Sequence, residues 1–394
     1  MDLTIPAHVE EARATVRRLF ETEILPAMPG HEARREFPRA LIERAGAAGL
    51  FGAAFPENVG GTAMGFLAVA AIAEEISRLA PEWGYAMNMQ AMTCPFTIFN
   101  WGTDEQVMRH VPDLIAGKKI GMFALSEPGG GSDPANAIKT TAKREGDVYR
   151  LNGSKQWITF ADQCDAGVLF AKTDPAAGAK GITAFIVEPK SAPGFSAKPI
   201  SIAGLSPCFN SCAVFLDDFA VPAANRLGAE GEGFKVAMSA LDYGRLTVTA
   251  RLVGMGRASV EHAVAYAKER VVRDQAIGHY QMVQHLIADA VVEVEAARLM
   301  LHRMAWTMDR GVSATREAAQ AKHFAAEAAK RAVAAAKEIH GAYGLATEFP
   351  IAKLSAYIDV LNVGEGAPAV QRVLIAEDAL GYKDANRHPP KRRG

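Results

Sequence analysis

The sequence predicts a multidomain α+β protein, in which a helical N-terminal domain and a helical C-terminal domain flank a middle β domain. Residues 1–119 and 230–394 carry apolar residues at helical spacing, whereas residues 120–229 contain short β-branched runs separated by Gly, Pro, Asn and Asp. The helices and strands are segregated along the 394-residue chain and do not alternate. This order argues against an alternating α/β fold.

The sequence of the N-terminal domain predicts a series of helices. In "HVEEARATVRRLFETEIL", apolar residues such as Val9 and Val16 recur at helical spacing. The apolar stretch "FLAVAAIAEEISRLA" predicts a buried helix. The stretch "DEQVMRHVPDLIAG" predicts a helix that is capped by Asp104 and ends at Gly117.

The middle domain contains runs such as "GDVYRLNGSKQWITFA" and "GITAFIVEP", which are typical of strands. Within the first run, "LNGS" predicts a hairpin turn. After residue 229 the chain returns to long amphipathic stretches. One of them is the Ala-rich "TREAAQAKHFAAEAAKRAVAAAKEIHG", which favours a helix that ends at Gly341.

Composition excludes several classes of function. The net charge of −1 argues against a general nucleic-acid binder, and the terminal "KRRG" is interpreted as a solvated tail. Four cysteines are too few for a disulfide framework, and no second Cys or His pair completes a zinc site. We therefore assign no metal ligands. Without a signal peptide or a long apolar run, we expect a soluble, cytoplasmic protein.

The stretch "LSEPGGGSDP", residues 125–134, is the most unusual in the chain. Three consecutive glycines let a ligand approach the backbone closely and leave N–H groups free to bind it. It is not a P-loop, because no Gly-Lys-Ser/Thr follows. A flexible linker is the alternative on composition.

Three further sites each allow two interpretations. In "QWITFA", Trp157 and Thr159 lie on one strand face, so Trp157 either stacks on a flat ligand or packs in a core. In "LDYGR", Asp242 and Arg245 form either a functional pair or a surface ion pair. Glu365, between two glycines, is either a general base facing a bound substrate or an acid at a helix N-terminus.

Together these stretches resemble the acyl-CoA dehydrogenase family over nearly the whole chain. "FALSEPGGGSD", "GSKQWIT", "IHGAYG" and the "GEG…QR" pattern are similar to four family signatures and occur in the family's order. The resemblance implies an N-terminal helical domain, a middle β domain and a C-terminal four-helix bundle. It also implies one FAD per subunit, a homotetramer or homodimer, and a role in fatty acid metabolism.

The resemblance also implies residue roles. Glu365 matches the catalytic base, which some branches carry instead at the position of Gly244. The positions that match substrate contacts are Ser132, Asp242, Arg245 and Gly366. The positions that match contacts to FAD, with Arg270 and Gln281 reaching the FAD of a neighbouring subunit, are Phe123, Leu125, Ser126, Gly131, Trp157, Ile158, Thr159, Arg270, Gln281, Ile339, His340 and Gly341.

The implied reaction is the α,β-dehydrogenation of an acyl-CoA thioester to a trans-2-enoyl-CoA. Glu365 would abstract the α-proton while the flavin accepts the β-hydride, and an electron-transfer flavoprotein would then accept the electrons. Acyl chain length, branching and ring content are not encoded in the motifs. The alternatives are a flavin enzyme acting on an acyl-carrier-protein thioester, an oxidase or monooxygenase relative, and a non-catalytic partner subunit on the same scaffold.

Several positions depart from the family's common pattern. Arg273 and Asp274 replace the family's common Phe-Gly pair. Ala367 replaces a Thr, Glu377 replaces an Arg, and Phe160 replaces an Asn. The segment "SIAGLSPCFNSCAV" also lacks the common Lys and Arg. These departures imply an atypical substrate.

Overall fold

The computed structural model describes residues 4–385, so the terminal "KRRG" lies outside the described residues. Two π-helical segments, Phe20–Ile24 and Asn88–Thr93, interrupt the N-terminal helices. The α-helices of this part are α1 Ala7–Leu19, α2 Leu25–Arg34, α3 Arg39–Ala47, α4 Gly65–Leu79, α5 Gly84–Met87, α6 Pro95–Trp101 and α7 Asp104–Ile115.

Helix α4 confirms the predicted buried helix, because its residues 68–77 are buried and it packs between α1 and α9, the first C-terminal helix (Gly233–Glu269). The predicted cap of α7 is wrong by one residue. Thr103 is the N-cap, and its hydroxyl accepts from the Gln106 N–H while the Gln106 side chain accepts from the Thr103 N–H. This reciprocal capping box outcompetes Asp104, which is the first residue inside the helix.

The middle part is one eight-stranded sheet with the short helix α8, Pro134–Ala137, after its first strand. The strand order is β6-β7-β3-β2-β4-β5-β8, and β1 pairs in parallel with β4. The strands are β1 Gly121–Ala124, β2 Thr141–Glu145, β3 Val148–Thr159, β4 Ala166–Lys172, β5 Ile182–Val187, β6 Phe195–Ile200, β7 Ser211–Pro222 and β8 Arg226–Leu227.

The predicted turn at "LNGS" is wrong, because β3 continues through these residues. Gly153 has φ 148° and marks a register shift against β7. A Cβ at Gly153 would lie 2.6 Å from the Thr140 hydroxyl oxygen, so glycine is needed for this close approach. The chain reverses earlier, at Gly146 with φ 62°.

The C-terminal part confirms the predicted helical bundle. Helix α9 is buried over most of its surface because α4 and α11 pack on it, as expected for a central helix. Helices α10 and α12 complete the bundle, and α13 packs on α11. After α9 and the hairpin of β9 Val271–Val272 and β10 Gln275–Ala276, the helices are α10 Gln281–Asp309, α11 Thr315–His340, α12 Ile351–Val363 and α13 Pro368–Ala379. The exact domain boundaries at 119/120 and 229/230 stay a prediction.

Candidate active site around Glu365

Glu365 lies in the short loop that joins α12 to α13. Its backbone adopts φ 56°, and Gly366 follows with φ 104°, a conformation that side chains disfavour. Helix α13 begins at Pro368 with Ala367 as its N-cap, so Glu365 lies outside the first turn. The interpretation of Glu365 as a helix N-terminal acid is therefore wrong.

The carboxylate of Glu365 points into the protein and is only partly hydrogen-bonded. Its Oε1 accepts from Asn88 Nδ2 at 3.0 Å, and Asn88 Oδ1 accepts from the Thr247 hydroxyl at 2.5 Å. Its Oε2 is buried and has no hydrogen-bond partner among residues 4–385. One oxygen is thus fixed in place, while the other is available for a ligand.

Burial raises the pKa of Glu365 above the usual range of a glutamate. The hydrogen bond from Asn88 and the positive charges of Arg245, Lys322 and Arg251 oppose this effect without cancelling it. A carboxylate with a raised pKa is a stronger base. The chemistry of the group therefore suits proton abstraction.

Side chains from α9, α11 and α13 hold the carbonyl groups of the Glu365 loop. Lys322 donates to the Gly366 carbonyl at 2.5 Å, Arg245 to the Glu365 carbonyl at 3.2 Å, and Gln371 to the Gly366 carbonyl at 3.1 Å. In contrast, the Glu365 N–H has no acceptor within the described part of the chain. The loop is held by its carbonyls, and an N–H donor is left beside the carboxylate.

Asp242 and Arg245 belong to this support. Their side chains pair at 2.8 Å, and both residues are buried, with 6% and 5% exposure. Asp242 also accepts from the Thr315 hydroxyl at 2.5 Å. The interpretation as a surface ion pair is therefore wrong, and the pair fixes the arginine that holds Glu365.

A second cluster joins the two predicted flavin motifs. Glu127 of "SEPGGG" and Lys155 of "GSKQW" form a buried ion pair at 2.8 Å. Glu127 also accepts from the N–H groups of Lys139 and Thr140, and the Gln156 N–H donates to the Ser126 carbonyl at 2.9 Å. These contacts tie the glycine-rich segment to β3, so the linker interpretation is wrong.

Trp157 is displayed on a β-bulge beside this cluster. The register of β3 against β7 shifts between Lys155 and Ile158, and Trp157 has φ 64°. Its side chain is 57% exposed, so the interpretation as a core tryptophan is wrong. Bulges often re-aim side chains next to binding sites. An exposed indole here fits the stacking of a flat ring system.

The other predicted flavin residues of the middle domain surround this bulge. Leu125 and Ile158 are buried, and Phe123 and Thr159 are half-buried. A Cβ at Gly131 would be 3.6 Å from the Ser126 hydroxyl, and Gly129, Gly131 and Ser132 are exposed at the surface. The structure thus brings the sequence-predicted residues of the two motifs together.

A third group lies at the ends of the C-terminal helices. The His340 ring stacks on the Tyr266 ring with centroids 4.3 Å apart, and the Tyr266 backbone carbonyl accepts from the Arg270 N–H. Gln281 is exposed at the first position of α10, and Gly341 is exposed with φ 59°. Within residues 4–385, no hydrogen bond or ring contact joins this group, with Ile339, to Glu365 or Trp157.

The structure describes the surroundings of three of the departures from the family pattern. Arg273 and Asp274 both have positive φ, as the two central residues of a type I′ hairpin require. Phe160 is fully buried against Phe37 and Phe209, and Phe209 belongs to the atypical segment around residues 201–214. The two changes at 160 and 209 therefore form one aromatic cluster.

Three residues of the Glu365 site were not singled out from the sequence. Asn88 and Thr247 carried no motif. Lys322 could have been found from the sequence, because it is a charged residue on the apolar face of the Ala-rich helix. Its neighbours on that face, Ala318 and Ala325, are buried. Burial lowers the pKa of Lys322 to about 7.

No group of three or more His, Cys, Asp or Glu side chains among residues 4–385 could hold a metal ion. None of the helices formed by these residues is long and apolar enough to cross a bilayer.

The chain matches known proteins over almost its full length. It is 38% identical to an acyl-CoA dehydrogenase of Bacillus subtilis (94% of this chain, 97% of the relative). It is 35% identical to the caffeyl-CoA reductase-Etf complex subunit CarC of Acetobacterium woodii (93% and 95%). The solved glutaryl-coenzyme A dehydrogenase glutaryl-CoA complex superimposes with a TM-score of 0.95 at 33% identity, covering 100% of both chains.

Family models extend this similarity to each part of the chain. The N-terminal, middle and C-terminal domain models of acyl-CoA dehydrogenase match residues 6–118, 122–219 and 231–380. The resemblance seen in the motifs is thereby confirmed, and the chain belongs to the acyl-CoA dehydrogenase family.

Proposed function

We propose that the chain catalyses the FAD-dependent α,β-dehydrogenation of an acyl-CoA thioester to a trans-2-enoyl-CoA, with Glu365 as the base. Membership of the family supports an oxidoreductase that acts on CH–CH bonds. The observation that carries the assignment is the buried Glu365 carboxylate, whose Oε2 has no partner among the described residues.

FAD, when bound, supplies the acceptor for the two electrons that leave the substrate as hydride. The residues that would hold it are those around the Glu127–Lys155 pair, where the exposed Trp157 and the open glycine segment leave room for a flat ring. This arrangement fits the cofactor, because it combines a stacking side chain with free backbone.

Proton removal is assigned to Glu365 Oε2. The hydrogen bond from Asn88 holds the opposite oxygen, which leaves Oε2 to accept the α-proton of the substrate. The unpartnered Glu365 N–H is available to donate to the thioester carbonyl, where negative charge develops as the α-proton leaves. Ser132 and Gly366 are proposed to contact the thioester.

Two partners follow from this proposal. The relative CarC is named as a subunit of a complex with Etf, which supports an electron-transfer flavoprotein as the electron acceptor. No hydrogen bond or ring contact among residues 4–385 joins Arg270 or Gln281 to Trp157. We propose that Arg270 and Gln281 contact the FAD of a second copy in a homotetramer or homodimer, and that the Ile339–Gly341 segment also contacts FAD.

The test is anaerobic mixing of the purified flavoprotein with a panel of acyl-CoAs. Bleaching of the flavin absorbance by at least one member, together with a trans-2-enoyl product, supports the proposal. Rapid oxygen consumption without an added acceptor would instead identify an oxidase. A purified protein that takes up no FAD would identify a non-catalytic subunit.

A further inference from the structure

Arg251 is a buried cation that forms no ion pair among residues 4–385. It lies on α9 with 1% exposure, and its Nε and Nη2 atoms have no hydrogen-bond partner among residues 4–385. Its guanidinium lies over the Tyr85 ring, 4.7 Å from the centroid. Buried charges in proteins are normally paired, so this residue lacks an expected partner.

Arg251 belongs to the surroundings of Glu365. Gly244, Thr247 and Arg251 lie at intervals of three and four residues, on one face of α9. Gly244 packs against the Glu365 carboxylate, and Thr247 binds Asn88, which holds Glu365. The Arg251 charge is close enough to Glu365 for mutual attraction.

The local sequence makes room for this guanidinium. A Cβ at Gly84 would overlap Arg251 Nε and lie 2.8 Å from its Cδ, so only glycine permits the observed position. The Tyr85 hydroxyl beside it is also buried, and it interacts with the Arg251 side chain. The Nε and Nη2 donors of Arg251 and the O–H of Tyr85 therefore lack an acceptor among the described residues.

A carboxylate satisfies this pair best. It neutralises the guanidinium, accepts two parallel N–H bonds from it, and accepts from a tyrosine hydroxyl as well. Glu365 cannot fill this role fully, because its Oε2 must remain available to the substrate α-carbon. The anion that completes the cluster must therefore come with the ligand.

The spacing limits the length of this ligand. Arg251 follows Gly244 by about two helical turns, which is roughly 10 Å along the axis. Long helical side chains lean back toward the N-terminus, which shortens the distance to the Glu365 carboxylate. A carboxylate a few carbons beyond the α-carbon fits this gap.

We propose that the acyl group of the substrate carries a terminal carboxylate, which Arg251 binds with help from the Tyr85 hydroxyl. The substrate class is a short dicarboxylic acyl thioester of about five carbons, as the helix spacing allows. This inference rests on the proposed dehydrogenase function and names the substrate of the same site.

Two acyl-CoAs of equal carbon number test the inference. Glutaryl-CoA ends in a carboxylate and pentanoyl-CoA ends in a methyl group. The kcat/KM of each is measured with a dye as electron acceptor, for the wild-type protein, for Arg251→Met and for Arg251→Lys. Flavin content and melting temperature are recorded for every variant.

The wild-type protein should prefer glutaryl-CoA. Arg251→Met should lower kcat/KM for glutaryl-CoA at least about 50-fold, because a charge-assisted bidentate contact is lost, and should lower it far less for pentanoyl-CoA. Arg251→Lys keeps the positive charge but loses the planar guanidinium, which donates two parallel hydrogen bonds. Its kcat/KM should fall about 10-fold for glutaryl-CoA only. Should the methionine variant not fold, the lysine variant carries the test.

Three results would overturn the inference. One is a wild-type protein that uses pentanoyl-CoA as well as glutaryl-CoA. Another is an equal loss on both substrates in the variants, which would show that Arg251 only supports Glu365 or the fold. Both leave the dehydrogenase function intact. If no acyl-CoA of any kind bleaches the flavin, the proposed function fails, and the inference fails with it.

Discussion

Gly244 on helix α9 packs directly against the carboxylate of Glu365. A Cβ at position 244 would overlap Glu365 Oε2 and lie 2.8 Å from the carboxyl carbon. The two positions that resemble alternative locations of the family's base are therefore neighbours in space. Glycine at 244 leaves the volume that the Glu365 side chain occupies.

Gly244→Ala should displace the Glu365 carboxylate and lower kcat/KM for the best acyl-CoA about 100-fold, because catalysis is sensitive to shifts of about 1 Å. FAD should be retained. The matched control is Gly256→Ala on the same helix, where a Cβ would lie 3.1 Å from the Val294 side chain and 3.6 Å from Ala329, far from Glu365 and without overlap. Equal activity of the two variants would contradict the assigned contact.

Asn88→Ala should move the pH dependence of activity. The base must be deprotonated, so kcat/KM falls as the pH drops through the pKa of Glu365, which burial has raised above the usual range. The Asn88 bond lowers this pKa, and its removal should shift the acid limb of the kcat/KM profile to higher pH. Asn100→Ala, which removes a buried bond to Ser239, should leave the limb in place.

Lys322→Met should free the loop that carries Glu365. Its ammonium group donates to the Gly366 carbonyl at 2.5 Å, and a methionine fills the buried space without donating. We expect kcat/KM to fall about 10- to 100-fold through misplacement of the base, with FAD content unchanged. Lys330→Met on the exposed side of the same helix is the control. A similar loss in both variants would argue against an anchoring role.

Lys155→Met should destabilise the predicted flavin site. It leaves the buried Glu127 without its cation, which costs about 3 to 5 kcal/mol in the free energy of unfolding. The melting temperature and the ratio of flavin absorbance to protein absorbance should both decrease. Adding Glu127→Gln removes the orphaned charge and should recover part of the stability. A double variant less stable than Lys155→Met would contradict this explanation.

The sequence predicted the larger features well because they rest on local patterns. The order of helical and strand regions follows from periodicity, which each segment carries within itself. The flanking glycines drew attention to Glu365 in the sequence. Gly366 adopts a positive φ of 104°, a conformation that favours glycine. The four motifs carried the family resemblance for the same reason.

The remaining features depend on contacts between distant segments. Asn88 reaches Glu365 across 277 residues, and no local pattern encodes that hydrogen bond. The bulge at Trp157 arises from the pairing of β3 with β7. The alternation of side chains along β3 alone could therefore not predict it. The burial of Asp242 and Arg245 depends on α11 and the Glu365 loop, whereas their spacing is equally suited to a surface pair.

The central claim is that Glu365 removes the α-proton, and anaerobic flavin bleaching by the best acyl-CoA in the Glu365→Gln protein tests it most directly. The amide keeps the size and the polar character of the carboxylate but cannot accept the proton at neutral pH. The variant should bind FAD as the wild-type protein does and keep its yellow colour after substrate is added. Bleaching at the wild-type rate would contradict the account.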